Sequence, residues 1–153
     1  MTPTRLTLIT LITLLLGAPT LRAEPRELGW DDLVPRSAAQ LEEDGTLTPY
    51  PSSGTVPELN GVEVKLPGFV VPLDMTSETV SSFLLVPYFG ACIHQPPPPP
   101  NQTVYVTLED AIAMETMYYP VWVTGTLATE RNSSDLAEAG YTMTGLAVER
   151  FEY

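Results

Sequence analysis

Hydrophobic and polar side chains alternate along several stretches of this chain, which is the pattern of half-buried β-strands. In the first stretch, Val62, Val64 and Leu66 alternate with Glu63 and Lys65. Gly, Pro, Asn and Ser gather between the stretches and predict turns. The pattern predicts five strands, over residues 62–73, 83–88, 103–107, 121–129 and 142–151.

Two other segments carry helix signals. Thr107 stands three residues before the acid Asp110, which is the arrangement of a helix N-cap. Residues 111–117 are compatible with helix, and Pro120 ends it because proline cannot continue the hydrogen-bond ladder. The sequence therefore predicts one helix between the third and fourth strands. A shorter helical turn is predicted over residues 78–82.

This order of elements predicts a mainly β fold, a small OB-like five-stranded barrel with one helix between strands 3 and 4. A small barrel needs sharply curved strands, and Gly68, Gly125 and Gly145 stand where such curvature is expected. An open sandwich with one helix is the alternative for the same pattern. The barrel domain is predicted over residues 59–153, after a proline-rich acidic arm over residues 24–58.

The arm has little periodicity, but three of its apolar residues suggest how it is held. Leu28, Trp30 and Leu33 are expected to dock it onto the barrel, with Trp30 as an anchor rather than a ligand platform. Ser37 is expected to cap a short helix over residues 38–44, since serine is a preferred N-cap.

Residues 1–23 have the three parts of a secretory signal peptide. Arg5 supplies the positive charge, residues 6–16 are an apolar run, and Ala23 offers a small residue for cleavage. An uncleaved membrane anchor is the rival interpretation, but a spanning helix needs about 20 apolar residues. We therefore expect a cleaved leader and a periplasmic protein with no membrane span after cleavage.

The acidic composition narrows the expected partners. The chain has 153 residues, with seven Lys and Arg, 19 Asp and Glu and a net charge of −12. Cleavage of the leader removes Arg5 and Arg22 and leaves five basic against 19 acidic side chains, a net charge of −14. Phosphate binding needs clustered Lys and Arg, so nucleic acid is not expected as a partner.

The single Cys and the single His of the chain are Cys92 and His94. One Cys excludes an internal disulfide, and the two residues alone cannot complete a four-ligand zinc site. In an extended chain their side chains point to the same face. Five prolines follow almost at once, and such a run favours the stiff polyproline II conformation. The sequence therefore predicts a rigid loop that holds a Cys–His pair.

Four interpretations of Cys92 and His94 stay open. The thiol can be a packed, inert group beside an imidazole bonded to a backbone carbonyl. The pair can bind a metal, with copper or zinc as the cofactor that these ligands suit, completed by further ligands. His94 can lower the thiol pKa for nucleophilic or redox catalysis. Cys92 can also form a mixed disulfide with a partner.

The prolines after His94 are a candidate partner-binding surface. They can dock into an aromatic groove, as polyproline ligands do, or serve only as a rigid connection between strands. Packing of Tyr88, Phe89 and Tyr105 against the prolines inside the domain is a further alternative. The predicted partner-binding residues are Pro96, Pro97, Pro98, Pro99, Pro100, Asn101 and Gln102.

Three strings of the sequence resemble the bacterial family DUF3299, small exported domains of unknown function. They are GWDDLVP at residues 29–35, VPELNGVEVKLPGFVVPL at 56–73 and FLLVPYFGACIHQPPPPPNQ at 83–102. Two features depart from the family pattern. Gln95 stands where an apolar residue is more common, and the arm between Gly29 and Val56 is shorter.

The resemblance implies an accessory role beside envelope ABC-transporter components, with an envelope protein as the expected partner. Together with the residues themselves it favours an exported binding protein that uses the loop from Cys92 to Gln102, rather than an enzyme. The alternative function is a thiol-dependent enzyme with Cys92 as nucleophile and His94 as base.

Overall fold

The computed structural model describes residues 23–35, 54–73, 78–91 and 94–152. All of the predicted signal peptide except Ala23 lies outside these residues. So do the short helix predicted over residues 38–44 and Cys92.

The described residues form a mainly β structure. The strands are β1 Arg26–Glu27, β2 Val62–Pro72, β3 Thr79–Val86, β4 Val104–Ala113, β5 Val121–Ala128, β6 Asn132–Ser133, β7 Glu138–Ala139 and β8 Tyr141–Arg150. Four short 3-10 helices connect them, Trp30–Leu33, Pro57–Leu59, Pro100–Gln102 and Met114–Tyr118. β6 and β7 pair only with each other, as a small hairpin before β8.

Five of the strands close into a barrel. Their order is β2, β3, β4, β8 and β5, and β5 returns to pair with β2. Neighbouring strands are antiparallel except β4 and β8, which run parallel. This is the five-stranded Greek-key barrel of the OB type, so the predicted fold class is confirmed.

The bend of β2 is what lets the barrel close. Up to Gly68 the strand pairs with β5, and from Phe69 onward it pairs with β3. A Cβ atom at Gly68 would stand 2.8 Å from the carbonyl oxygen of Val86, closer than real Cβ contacts. Glycine is therefore required where β2 passes from one partner to the other, which agrees with the bend predicted there.

The helix predicted between the third and fourth strands is present only as the 3-10 helix Met114–Tyr118. Thr107 and Asp110, which have the N-cap spacing, lie within β4 instead, and Ile112 and Ala113 pair with Val80 and Thr79. The helical turn predicted over residues 78–82 is wrong for the same reason, because residues 79–82 begin β3. Pairing with a neighbouring strand outweighs the local helix preference.

The N-terminal arm is docked as the sequence predicts. Leu28 and Leu33 are buried in the main core, and Trp30 packs against that core. The indole Nε1–H of Trp30 donates a hydrogen bond of 2.8 Å to the carbonyl oxygen of Pro67. β1 adds a sixth strand by pairing parallel to β2 at Val64 and Lys65.

Within the part of the chain that the structure describes, no helix is long and apolar enough to cross a membrane.

Candidate functional site

His94 is placed by a tight turn that begins at Gly90. The backbone N–H groups of His94 and Gln95 both donate hydrogen bonds to the carbonyl oxygen of Gly90, at 2.9 and 3.1 Å. Gly90 has a φ of 78°, which side chains other than glycine rarely adopt. Ala91 is fully buried, whereas His94 is exposed. The turn therefore buries Ala91 in the domain and leaves the imidazole of His94 exposed to solvent.

The imidazole lines a cleft of about 230 Å³ that we call the His94 cleft. Its walls come from the second half of β2, from the turn at Gly90 and from the 3-10 helix after β4. The lining residues are Phe69, Val70, Val71, Phe89, Gly90, Ala91, His94, Met117 and Tyr118. Three distant parts of the chain thus meet at one surface.

Two large aromatic side chains that line this cleft are exposed to solvent. Phe89 is 51% exposed and Tyr118 is 69% exposed. Phe89 also meets Phe69 edge to face, with ring centroids 5.8 Å apart. Among the described residues that line the cleft, none carries a carboxylate, an ammonium or a guanidinium group. The surface is therefore apolar and aromatic, with the His94 imidazole and the Tyr118 hydroxyl as its polar side-chain groups.

The prolines after His94 are divided between the surface and the interior. Pro96, Pro97 and Pro99 are exposed, and Pro98 is buried. The hydroxyl of Tyr88 donates a hydrogen bond of 2.9 Å to the carbonyl oxygen of Pro96. This hydrogen bond links Tyr88 to the first proline of the run at the protein surface.

The end of the run is held firmly by the rest of the domain. The amide Nε2–H of Gln102 donates to the carbonyl oxygen of Trp30 at 2.8 Å. The N–H of Gly140 donates to the carbonyl oxygen of Pro100 at 2.6 Å. Asn101 is only 2% exposed. Gln102 and Pro100 thus fasten the loop to the arm and to the start of β8.

The described residues bring no ready-made metal centre together. No group of three or more His, Cys, Asp or Glu side chains is close enough to hold an ion within them. His94 and Met117 nevertheless share the cleft. Their imidazole and thioether groups are ligands for soft metals such as Cu(I).

A protein-family model matches most of this chain. The model describes a protein of unknown function, DUF3299, and it matches residues 30–150. The chain belongs to the DUF3299 family.

A solved structure supports the assignment. The chain is similar to the crystal structure of a DUF3299 family protein from Pseudomonas aeruginosa PAO1, with 40% sequence identity and a TM-score of 0.71. The match covers 86% of this chain and 99% of that one. No curated protein matches the chain. The family and the fold are thus established together.

Some cleft residues of this DUF3299 protein were not predicted from its sequence. Met117 has the spacing of a core helix residue, but the 3-10 helix turns it toward the cleft. Tyr118 and Phe69 carry no local signal, because their role depends on the barrel that brings β2 and the end of β4 together. The exposed aromatic Phe89, three residues before Cys92, is the one feature that could have pointed to this surface.

Proposed function

We propose that this DUF3299 protein is an exported accessory protein of the bacterial envelope that binds a protein partner through the His94 cleft and the exposed prolines beside it. The observation that carries the proposal is the pair of exposed aromatic residues, Phe89 and Tyr118, at a cleft whose described lining has no carboxylate, ammonium or guanidinium group. Aromatic residues are enriched at protein interfaces, where they act as anchors that are buried on binding.

The exposed prolines that follow His94 in the chain add a second element to the proposed contact. Pro96, Pro97 and Pro99 are exposed, and Pro99 has φ −61° and ψ 157°, in the polyproline II region. A proline ridge has little conformational entropy to lose, and proline-rich segments dock into aromatic grooves. Since Pro100 and Gln102 fasten the loop to the domain and Asn101 is buried, we assign the direct contacts to these three prolines and to the aromatic residues.

The signal peptide pattern in residues 1–23 supports export. The strongly acidic mature chain supports a protein partner rather than nucleic acid. In this proposal the partner belongs to an ABC-transporter system of the envelope, as the family resemblance implies.

A photo-reactive amino acid at position 118 is expected to cross-link the partner in living cells. Tyr118 stands at the mouth of the proposed contact, so the adduct should form there and disappear when Phe89→Ser removes the second aromatic anchor. The same photo-reactive residue at Thr126, which is exposed on β5, is the control. Adducts are separated by gel electrophoresis and identified by mass spectrometry. Equal adducts from positions 118 and 126, or adducts that persist in Phe89→Ser, would refute the proposed contact.

A second candidate function is the binding of a soft metal, copper in preference to zinc. The observation that favours it is the presence of His94 and Met117 in one cleft, with Cys92 two positions before His94. Thiolate, imidazole and thioether together suit Cu(I), whereas zinc rarely takes thioether ligands.

Titration with Cu(I) and with Zn²⁺ should separate this candidate from simple partner docking. Cys92→Ala is expected to weaken copper binding by at least about tenfold, because the thiolate is the strongest ligand of the set. Met117→Leu should weaken copper binding and leave zinc binding unchanged. Equal, weak binding by the wild type and both variants would remove the metal function.

The runner-up function, a thiol-dependent enzyme with Cys92 and His94, is tested with the same Cys92→Ala protein as the blank. A reactive thiol would be alkylated rapidly below pH 8, since its pKa would be lowered. Slow labelling with an ordinary pH dependence would leave this enzyme hypothesis without support.

A further inference from the structure

A second surface of the barrel lies where β4 and β8 separate. The two parallel strands pair from Val104 with Tyr141 to Leu108 with Gly145. Beyond that point β4 continues to Ala113 and β8 continues to Arg150, with no further pairing between them. The two strands line a cleft of about 240 Å³ beyond this point, and we call it the β4–β8 seam.

Irregularities on both strands account for the opening. Thr124 and Gly125 of β5 pair with Ala147 and Gly145 of β8, so Leu146 is an extra residue without a partner. Such a bulge bends a strand and redirects its side chain. Leu146 is accordingly 52% exposed. β8 therefore turns away from β4 at the residue where their pairing ends.

β4 has a larger irregularity at the same level. Thr107 pairs with Ser82, and the next paired residue of β4, Ile112, pairs with Val80. Residues 108–111 thus stand opposite Ser81 alone. Among the described residues, positions 109–111 have a strand partner neither on the β3 side nor on the β8 side. The backbone at these positions therefore has no neighbouring strand in register, as at an open sheet edge.

The side chains of the seam have an apolar floor and an acidic rim. Leu108, Ile112 and Val148 are partly buried and pack against the main core. Glu109 and Asp110 are exposed above them. An extended segment that alternates apolar and basic side chains would match both layers, because successive side chains of a strand point to opposite sides.

We propose that the β4–β8 seam binds an extended, basic segment of a partner protein by β-strand addition. The backbone groups of residues 109–111 and of β8 after Gly145 provide the hydrogen bonds. The apolar floor contacts every second side chain of the bound segment. The acidic rim selects Lys or Arg on the partner, since opposite charges guide association. A second copy of this chain is disfavoured as the occupant, because two acidic rims in a protein of net charge −12 would repel each other. This surface is separate from the contact proposed at the His94 cleft.

The test uses the full mature protein and a short synthetic peptide of alternating lysine and valine. Binding should change the backbone amide resonances of residues 109–113 and 146–150 in NMR spectra recorded at low salt. The double variant E109K/D110K is expected to weaken the peptide affinity by about tenfold, because the rim then repels the peptide. Glu130 and Asp135 form a matched pair of exposed acids outside the seam, so E130K/D135K should change the affinity by less than about twofold.

Two further peptides distinguish strand addition from simple charge attraction. A lysine peptide with proline at every second position keeps N–H donors on one edge only, so it cannot pair with both β4 and β8 and should not shift the resonances of both strands. A peptide of alternating glutamate and valine should not bind. Equal binding of the proline peptide, equal loss of affinity in both double variants, resonance changes outside the seam, or dimerisation through the seam at high protein concentration would each overturn the proposal.

Discussion

The variant Gly125→Ala is expected to lower the free energy of unfolding by about 3 kcal/mol, because overpacking against a fixed backbone cannot be relieved by rotating a side chain. A Cβ atom at this position would stand 2.5 Å from the carbonyl oxygen of Thr144 and 2.9 Å from the Cα atom of Gly145. Both are backbone atoms of β8, to which β5 is paired at this point. Relief would require the two strands to move apart where the barrel is tightly curved.

Thermal and urea unfolding, followed by circular dichroism, would measure this change. The melting temperature should fall by about 10 °C for a domain of this size. Gly29→Ala is the matched control, since the nearest atom to a Cβ there is a carboxylate oxygen of Asp32 at 3.8 Å. We expect that control to stay within about 0.5 kcal/mol of the wild type. A Gly125→Ala protein as stable as the control would contradict the tight crossing of β5 and β8.

The variant Tyr141→Phe is expected to lose about 2 kcal/mol of stability. Tyr141 is fully buried, and its hydroxyl donates a hydrogen bond of 2.7 Å to the carbonyl oxygen of Leu33. The hydroxyl oxygen of Tyr141 also accepts a hydrogen bond of 2.7 Å from the N–H of Val56. Removal of the hydroxyl leaves two backbone groups without this partner, and unsatisfied groups of this kind cost about 1–3 kcal/mol each when buried.

The Tyr141 hydroxyl should also give the protein a particular alkaline pH dependence. Burial raises the pKa of Tyr141 above its ordinary value of 10.0, and the hydrogen bond from Val56 partly offsets the shift. The folded protein therefore holds this proton more tightly than the unfolded chain does. The resulting contribution is complete below pH 10 and is lost as the pH rises through the folded-state pKa.

Urea unfolding at several pH values between 8 and 11 would check both effects. The wild type should lose stability above pH 10 more steeply than Tyr141→Phe does, because the variant lacks the titrating group. Tyr118→Phe, at a position 69% exposed, is the control and should follow the wild type in stability and in pH dependence. Identical pH profiles for the wild type and Tyr141→Phe would argue against a buried, bridging hydroxyl.

Much of the barrel follows from local pattern in the sequence. The strands predicted over residues 62–73, 121–129 and 142–151 match β2, β5 and β8 to within one residue at either end. These strands have clear alternation or glycine and proline at their bends, and such signals depend only on neighbouring residues. Alternation and turn signals thus lead to the correct fold class.

β4 could not be predicted in full because its local signals point elsewhere. Thr107 and Asp110 are spaced as in a helix N-terminus, yet β4 extends to Ala113, since its end pairs with the beginning of β3.

The candidate site was also predicted only in part, because local sequence signals do not show which distant residues meet in the fold. Sequence reasoning identified His94 and the prolines, which are close in the chain. It did not identify Met117 and Tyr118, which reach the His94 cleft only through the folded barrel.

The double hydrogen bond of Tyr141 also has a consequence for how this family can change in length. Leu33 and Val56 flank residues 34–55. The carbonyl oxygen of Leu33 and the backbone nitrogen of Val56 each lie 2.7 Å from the hydroxyl oxygen of Tyr141. The ends of this connection are already held together. A longer connection is therefore expected to lower the free energy of unfolding only through the entropy of closing a larger loop, by about 0.6 kcal/mol for each doubling of its length. Changes in the length of this connection are therefore expected to leave the barrel unchanged. The same property makes this connection a suitable place to insert an affinity tag or a reporter domain.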